Sequence, residues 1–141
     1  MRCHPRVLLG LLLAAGLGTA CTRPEAAPPA TKDAVRVTDV DLGLRVGPDK
    51  RVTDRTDSFS PSETIYVSVR TVGTVPSATI KARWTFQDGQ VVQESSQTIA
   101  PTGTAVTEFH VSNRAGWPKG SYQVEVFLNG SSVETESFKV G

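Results

Sequence analysis

The sequence predicts an all-β protein built as an antiparallel sandwich of about seven strands. Short segments of alternating apolar and polar residues recur from Val35 to the C-terminus, as is typical of strands with one buried face. Two dipeptides, Asp88-Gly89 and Asn129-Gly130, lie between such segments and favour tight hairpin turns. No segment after Gly18 has the period of a helix, so both layers of the domain are expected to be sheets. An open β-barrel is the alternative architecture.

Length and composition indicate one globular domain. The chain has 141 residues, of which 38% are apolar and 21% charged, and this is enough for a core of its own. Lys and Arg number 15 against 14 for Asp and Glu. Because this balance provides no positive field for a polyanion, we expect no nucleic-acid partner.

The first 20 residues are typical of a signal peptide. Arg2 and Arg6 form a basic start, and residues 7–18 are an apolar run that is too short to cross a bilayer. Small residues then precede Cys21, and this arrangement resembles the signal of bacterial lipoproteins, whose cysteine receives diacylglycerol after cleavage. Gly18 departs from that pattern, which prefers leucine three residues before the cysteine. Ordinary cleavage after Ala20, without a lipid, is the alternative.

Cys21 is the lipid-attachment residue that the resemblance implies. With Cys3 inside the signal peptide, it would be the only cysteine of the mature chain, and acylation would remove a free thiol from an oxidising compartment. Thr22 follows it, not the aspartate that resembles an inner-membrane retention signal in enteric bacteria. We therefore expect a lipid-anchored protein of the cell envelope, in the outer membrane if the source is Gram-negative.

Residues 21–34 are predicted to be a tether between the lipid and a folded domain of residues 35–141. Pro24, Pro28 and Pro29 stand among alanines and charges, without apolar periodicity. As a polyproline II helix, residues 22–34 would extend about 40 Å. Such a length would hold the domain clear of lipid headgroups.

The alternation of apolar and polar residues predicts which residues form the core, and it predicts an irregularity in the first strand. Trp84 shares a face with Ala82 and Phe86, and we expect it at the centre of the core. Within Val35–Val46 the apolar residues change parity, which predicts a bulge or a change of sheet.

Counting outward from the two turns predicts the cross-strand pairs. These pairs are Arg83 with Glu94, Phe86 with Val91, Thr85 with Val92, Val126 with Val133, and Glu125 with Glu134. Phe138 has the opposite parity to Val133, so we expect a bulge between these two residues.

Three features resemble immunoglobulin-like or fibronectin-like domains of bacterial surface and periplasmic proteins. They are Trp84 in the third strand, Tyr122 after Gly120-Ser121, and the closing residues 138–140. The resemblance spans about residues 35–141 and implies that Tyr122 forms a tyrosine corner. Antibody-type domains have a disulfide between their second and sixth strands, but residues 35–141 contain no cysteine, so Val67 or Val69 is expected to pack with Val124 in that space.

The sequence indicates no catalytic residue, metal site or cofactor, and we expect the protein not to be an enzyme. His110 is the one histidine beyond the signal peptide, points to solvent by alternation, and has no nucleophile motif to work with. Asp39, Asp41, Asp54 and Asp57 could gather around calcium, but they do not match an EF-hand loop, and turn carboxylates usually bond local amides.

The expected function is therefore binding of another envelope protein, or a structural role in the envelope. The candidate interaction face consists of five residues: Arg83, Glu94, Glu125, Phe127 and Trp117. Arg83 is expected between the two glutamates, and Phe127 is expected to be exposed beside Thr85 and Val92. Trp117 is predicted to cap the core, with a role as ligand anchor as the alternative.

Two other functions fit the same sequence. One is an enzyme or small-ligand carrier with an unrecognised site. The other is a module resembling a protease inhibitor, which only analogy at the level of the fold supports.

Overall fold

The computed structural model describes residues 34–141. The predicted signal peptide, Cys21 and the tether up to residue 33 lie outside the described residues. Within residues 34–141 no helix is long and apolar enough to span a membrane. The strands are β1 (Arg36–Gly43), β2 (Ser58–Phe59), β3 (Ile65–Thr74), β4 (Ala78–Phe86), β5 (Gln90–Ile99), β6 (Thr102–Val111), β7 (Gly120–Leu128) and β8 (Ser131–Val140).

The strands form two separate sheets. One has three strands in the order β1-β3-β6, and the other has five in the order β2-β8-β7-β4-β5. All neighbours are antiparallel except β2, which pairs in parallel with β8. Two sheets over one shared core make the predicted sandwich and not the alternative open barrel. The eighth strand is the two-residue β2, which lies in a polar segment without alternation.

The parity change predicted in the first strand is a bulge in β1. Its register against β3 shifts between Val37 and Asp39. Beyond the shift, Val40 and Leu42 are buried, while Val37 still packs against the core from the other side of the bulge. The extra residue thus allows apolar residues of both parities to face inward.

Trp84 lies at the centre of the core, as predicted. It is 1% exposed and meets the Phe138 ring edge-on, with 6.0 Å between centroids. Its Nε1 has no hydrogen-bond partner within residues 34–141, so apolar packing holds the ring. Val67, Val69 and Val124 are fully buried in the same cluster, as the domain without a disulfide requires.

Tyr122 forms the tyrosine corner that the resemblance implies. Its hydroxyl donates a hydrogen bond to the Pro118 carbonyl at 2.6 Å, and its ring stacks on Phe138 at 5.3 Å. Burial raises the pKa of the Tyr122 hydroxyl. Trp117 packs edge-on against Tyr122 and donates from Nε1 to the Glu63 carbonyl at 3.0 Å. Trp117 therefore caps one end of the core.

The loop between β1 and β2 folds over the outer face of the three-stranded sheet. Ser68 points outward from β3, yet it is buried and donates to the Lys50 carbonyl at 2.6 Å. The loop approaches β1 so closely that a Cβ on Gly43 would collide with the Asp54 carbonyl oxygen. Only glycine fits there.

The first hairpin turn is one residue longer than predicted. Gln87 joins Asp88-Gly89 in the turn, with a positive φ of 44°. The predicted pairs of Phe86 with Val91 and Thr85 with Val92 are therefore wrong; in the structure Phe86 lies opposite Gln90 and Thr85 opposite Val91. The register of β4 against β5 then shifts between Trp84 and Thr85, so that Val92 is an extra residue without a partner in β4. This bulge restores the predicted pair of Arg83 with Glu94.

The second turn has the predicted two residues, Asn129 at φ 50° and Gly130 at φ 85°. The bulge comes earlier than expected, because Val133 itself is the extra residue. The predicted pairs of Val126 with Val133 and Glu125 with Glu134 are consequently wrong. Val126 lies opposite Glu134 and Glu125 opposite Thr135, so the expected like-charge pair does not form.

Replacing Trp84 by alanine is expected to destabilise the domain by about 3–5 kcal/mol, because it leaves a cavity between the sheets. Denaturant unfolding measures the loss. The matched control is Thr85→Ala, next to it on the outer face, where about 0.5 kcal/mol or less is expected. A loss below about 1 kcal/mol for Trp84→Ala would contradict its central position.

Candidate interaction face

The outer face of the five-stranded sheet brings together four of the five predicted site residues. β4 lies between β5 and β7, so the register places Arg83 opposite Glu94 on one side and opposite Glu125 on the other. These side chains point outward because their neighbours Trp84 and Val124 point into the core. Arg83 thus lies between the two glutamates, as predicted.

The three charged groups are joined by short contacts. Arg83 Nε donates to Glu94 Oε1 at 2.9 Å, and Arg83 Nη1 lies 3.8 Å from Glu125 Oε1. Lys81 Nζ lies 3.6 Å from the same oxygen of Glu94. The hydrogen bond from Arg83, with the charges of Arg83 and Lys81, holds the pKa of Glu94 below its usual value against the opposing effect of burial. Glu94 consequently remains ionised at lower pH than an ordinary glutamate.

Phe127 is part of this face, but it is not exposed as predicted. It lies opposite Lys81, and only 9% of its surface is exposed. Lys81 Nζ is 4.5 Å and Arg83 Cζ is 4.8 Å from the ring centroid. At exposed sites such cation–π contacts contribute about 0.5–1 kcal/mol each. The two cations cover the ring, and Phe127 in turn positions them beside the glutamates.

The apolar spot predicted from Phe127, Thr85 and Val92 does not form. Thr85 lies opposite Gln123, four positions along β7 from Phe127, which corresponds to about 13 Å. The alternation of side chains is sufficient to place Phe127 and Thr85 on the same face of the sheet, but it does not give the distance between them in the direction of the strands.

Two members of this face were missing from the predicted set. Lys81 contacts both Glu94 and Phe127, and the pairing of Arg83 with Glu125 could have revealed it. Ser132 donates to Glu125 Oε2 at 3.0 Å, and its place opposite Phe127 follows from the two-residue turn. We call Lys81, Arg83, Glu94, Glu125 and Phe127 the charged ladder.

The fifth predicted residue, Trp117, lies apart from the charged ladder. It is 6% exposed at the end of the sandwich, where it offers little surface to a partner. Beside it is an apolar concavity of about 340 Å³. Phe86 and Pro118 line this concavity together with Val91 and Val92, whose side chains are 53% and 40% exposed.

His110 and two of the aspartates considered as calcium ligands have ordinary side-chain partners. His110 is exposed, as predicted, with Nδ1 2.7 Å from Glu108 Oε1. Asp41 pairs with Arg55 at 2.8 Å, and Asp39 lies 3.8 Å from Arg70. Residues 34–141 contain no group of three or more His, Cys, Asp or Glu side chains that could hold a metal ion.

Acidic side chains meet where the edge strands β1 and β8 approach each other. Glu136 lies opposite Val124 and is partly buried. Burial, and then the negative charges of Glu134, Asp41 and Asp39, raise the pKa of Glu136. The Glu136 carboxyl thus lies in an acidic environment, although Arg55 and Arg70 pair with Asp41 and Asp39.

Comparison with known proteins supports the fold. No protein-family model matches this chain, and no curated protein matches it in sequence. It is similar to an immunoglobulin-like protein of Pseudomonas aeruginosa, with a TM-score of 0.51 and 15% identity over 79% of this chain and 99% of that one. The domain is an immunoglobulin-like sandwich.

Two further solved structures are more distant. A β-glucosidase of Listeria innocua matches at a TM-score of 0.49 and 9% identity, over 77% of this chain but 16% of the enzyme. The CARDB domain of a Pyrococcus furiosus protein, solved in complex with di-metal ions, matches at 0.42 and 15% identity, over 73% and 88% of the two chains.

Replacing Arg83 by glutamine is expected to raise the pKa of Glu94 towards its ordinary value, because the hydrogen bond and one of the two cations are lost. Titration of the Glu94 carboxyl by NMR measures the change. Arg114→Gln, on an exposed loop residue, is the control and should leave Glu94 as it is. A Glu94 titration unchanged by Arg83→Gln would contradict the ladder geometry.

Proposed function

We propose that the protein is a membrane-anchored lipoprotein of the cell envelope whose immunoglobulin-like domain binds another envelope protein and catalyses no reaction. The signal-like segment and Cys21 support the anchor, and the outer membrane is its place if the cell is Gram-negative. The observation that carries the binding role is the charged ladder, an ordered set of charges around one aromatic ring.

The ladder is already ordered in the free domain. Arg83 is held by Glu94 and Phe127 together, so a partner would not need to immobilise a freely moving side chain. This reduces the entropy that binding costs, by about 0.5–1.5 kcal/mol for each such side chain. Exposed ion pairs stabilise a fold by only about 0–1 kcal/mol, so fold stability alone gives little reason for this arrangement.

The charge pattern indicates the chemistry of the partner. Across the three strands the order is negative, positive, negative, from Glu94 through Arg83 to Glu125. A partner with an acidic group flanked by two basic groups would match it. Such complementarity favours specificity and the rate of encounter more than affinity.

If Cys21 carries the anchor, Cys21→Ser is expected to move the protein from the membrane fraction to the soluble fraction, because the chain then loses its acylation site. Fractionation of cells that express each chain measures the distribution. An equal share of soluble protein for both chains would contradict the anchor and favour ordinary secretion.

If the ladder is the binding face, Arg83→Glu and Glu125→Lys are each expected to reduce recovery of the same partner from solubilised envelope at least tenfold, about 1.4 kcal/mol. Arg114→Glu provides an equal charge change elsewhere on the surface. The quadruple variant Lys81→Glu, Arg83→Glu, Glu94→Arg, Glu125→Arg keeps the ion pairs of the ladder and inverts the pattern. It should fold and lose the partner. Unchanged recovery by all these variants would exclude the ladder as the interface.

A further inference from the structure

A β-sandwich leaves strand edges whose backbone groups can pair with another chain, and proteins usually block them with bulges, charges, proline or covering segments. In residues 34–141 the three-stranded sheet ends at β1 and β6, and the five-stranded sheet ends at β5 and, beyond the two residues of β2, at β8. These edges differ in how they are blocked.

Three of the four edges carry such features. The β1 edge has a bulge after Val37, and the following loop pairs with its last residue, Gly43. The β8 edge has a bulge at Val133 and the acidic residues Glu134 and Glu136, and β2 covers its end. On the β6 edge, Gln97 Nε2 already donates to the Glu108 carbonyl at 2.6 Å.

The β5 edge is the least blocked. Its one irregularity is near the turn at Val92, and from Gln93 to Ile99 it pairs residue by residue with β4. This stretch contains neither proline nor lysine, and its one charge, Glu94, is bound by Arg83 and Lys81. Its outer edge has no strand partner within residues 34–141. Most of its side chains are exposed on both faces, since the three-stranded sheet does not cover it.

We propose that two copies of the chain pair antiparallel through their β5 edges, about a two-fold axis at Ser95. The two five-stranded sheets then become one continuous sheet across the axis. Gln93 lies opposite Gln97 of the second copy on the inner face, and Glu94 lies opposite Ser96 on the outer face. No like charges are opposed, and the backbone groups of both edges gain partners.

Two properties of β5 favour an identical copy over a foreign peptide. Peptides that add a strand to a sheet owe their specificity to pockets for alternate side chains. Beside β5, the inner face presents Gln93, Ser95 and Gln97, which are short or polar and form no apolar pocket. An identical strand instead supplies a Ser95 hydroxyl opposite Ser95 and the Oε1 of Gln97 opposite the Gln93 amide, while Gln97 Nε2 donates to Glu108 within its own copy.

One strand pair is a small interface, so the dimer is expected to be weak in solution. A common membrane would raise the local concentration of the two copies, and this consequence rests on the proposed anchor. Because Glu94 and Arg83 belong to the sheet that is extended, the dimer would also place two charged ladders side by side. A partner with two binding sites would then bind more tightly than a partner with one.

A cysteine scan of the full-length chain tests the pairing, in a background with Cys3→Ser and Cys21→Ser so that one thiol remains. Ser95→Cys places the two thiols directly across the axis, where Cβ atoms are about 4.5–5.5 Å apart. It should form a disulfide-linked dimer under mild oxidation. Thr98→Cys, whose two copies would be about 20 Å apart, should give at least fivefold less.

Ser137→Cys on the β8 edge is the matched control and should also give little dimer. Equal yields at the three positions, or linkage of Ser95→Cys only to another protein, would overturn the proposal. These readouts need no heterologous partner, so they can fail while the partner recovery of the proposed function succeeds, and the reverse.

Opposite charges on the axis give a second test. Ser95→Lys and Ser95→Glu should each weaken self-association at least tenfold in sedimentation equilibrium, because like charges meet across the axis. An equal mixture of the two variants should restore a dimer of one copy of each. If the mixture stays as monomeric as the single variants while wild type dimerises, β5 is not the contact.

Discussion

Burial of Trp84 between the two sheets is the constraint on which the rest of the structure depends. Because side chains alternate along a strand, an inward Trp84 places its neighbour Arg83 on the outer face. The same strand lies between β5 and β7, so the two glutamates opposite Arg83 follow from this single orientation. The charged ladder therefore lies on the outer face of the same strands whose inner face forms the core. A shift of β4 by one residue would bury the guanidinium and expose the indole, which the cost of an unpaired buried charge forbids.

Irregular positions in the strands have consequences beyond their own surroundings. The extra residue at Val133 places Thr135 instead of Glu134 opposite Glu125 and so removes the expected contact between two glutamates. The extra residue at Val92 restores the pairing of Arg83 with Glu94 after a three-residue turn. Both bulges lie close to their turns, and the remainder of each hairpin is regular. In β5 this leaves a long uninterrupted edge, whereas in β8 the inward-directed acids and the pairing with β2 make the edge unsuitable for pairing.

The binding role and the proposed dimer depend on different parts of one sheet. The ladder occupies its outer face, where the side chains of Lys81, Arg83 and Phe127 hold one another. The dimer uses the backbone of its edge, where side-chain charge is nearly absent. Because Glu94 belongs to both β5 and the ladder, association at the edge would fix the spacing between two ladders. Such an arrangement would increase the overall affinity of a membrane-anchored protein for its partner, since two weak contacts that form together bind more tightly than either contact alone.

The sequence by itself determines the features that local chemistry governs. Alternation places Trp84 inside and Arg83 outside, Asn129-Gly130 allows the positive φ values of a two-residue turn, and the tyrosine corner follows from residues close together in the chain. Only the tertiary structure decides the burial of Phe127, the length of the first turn, the site of the second bulge and the parallel pairing of β2 with β8. Each of these depends on contacts between residues distant in sequence. The alternation of side chains between two faces is a property of a single strand. The distance between residues along a sheet, the burial of a side chain by its neighbours and the availability of an edge for pairing arise only when several strands are assembled.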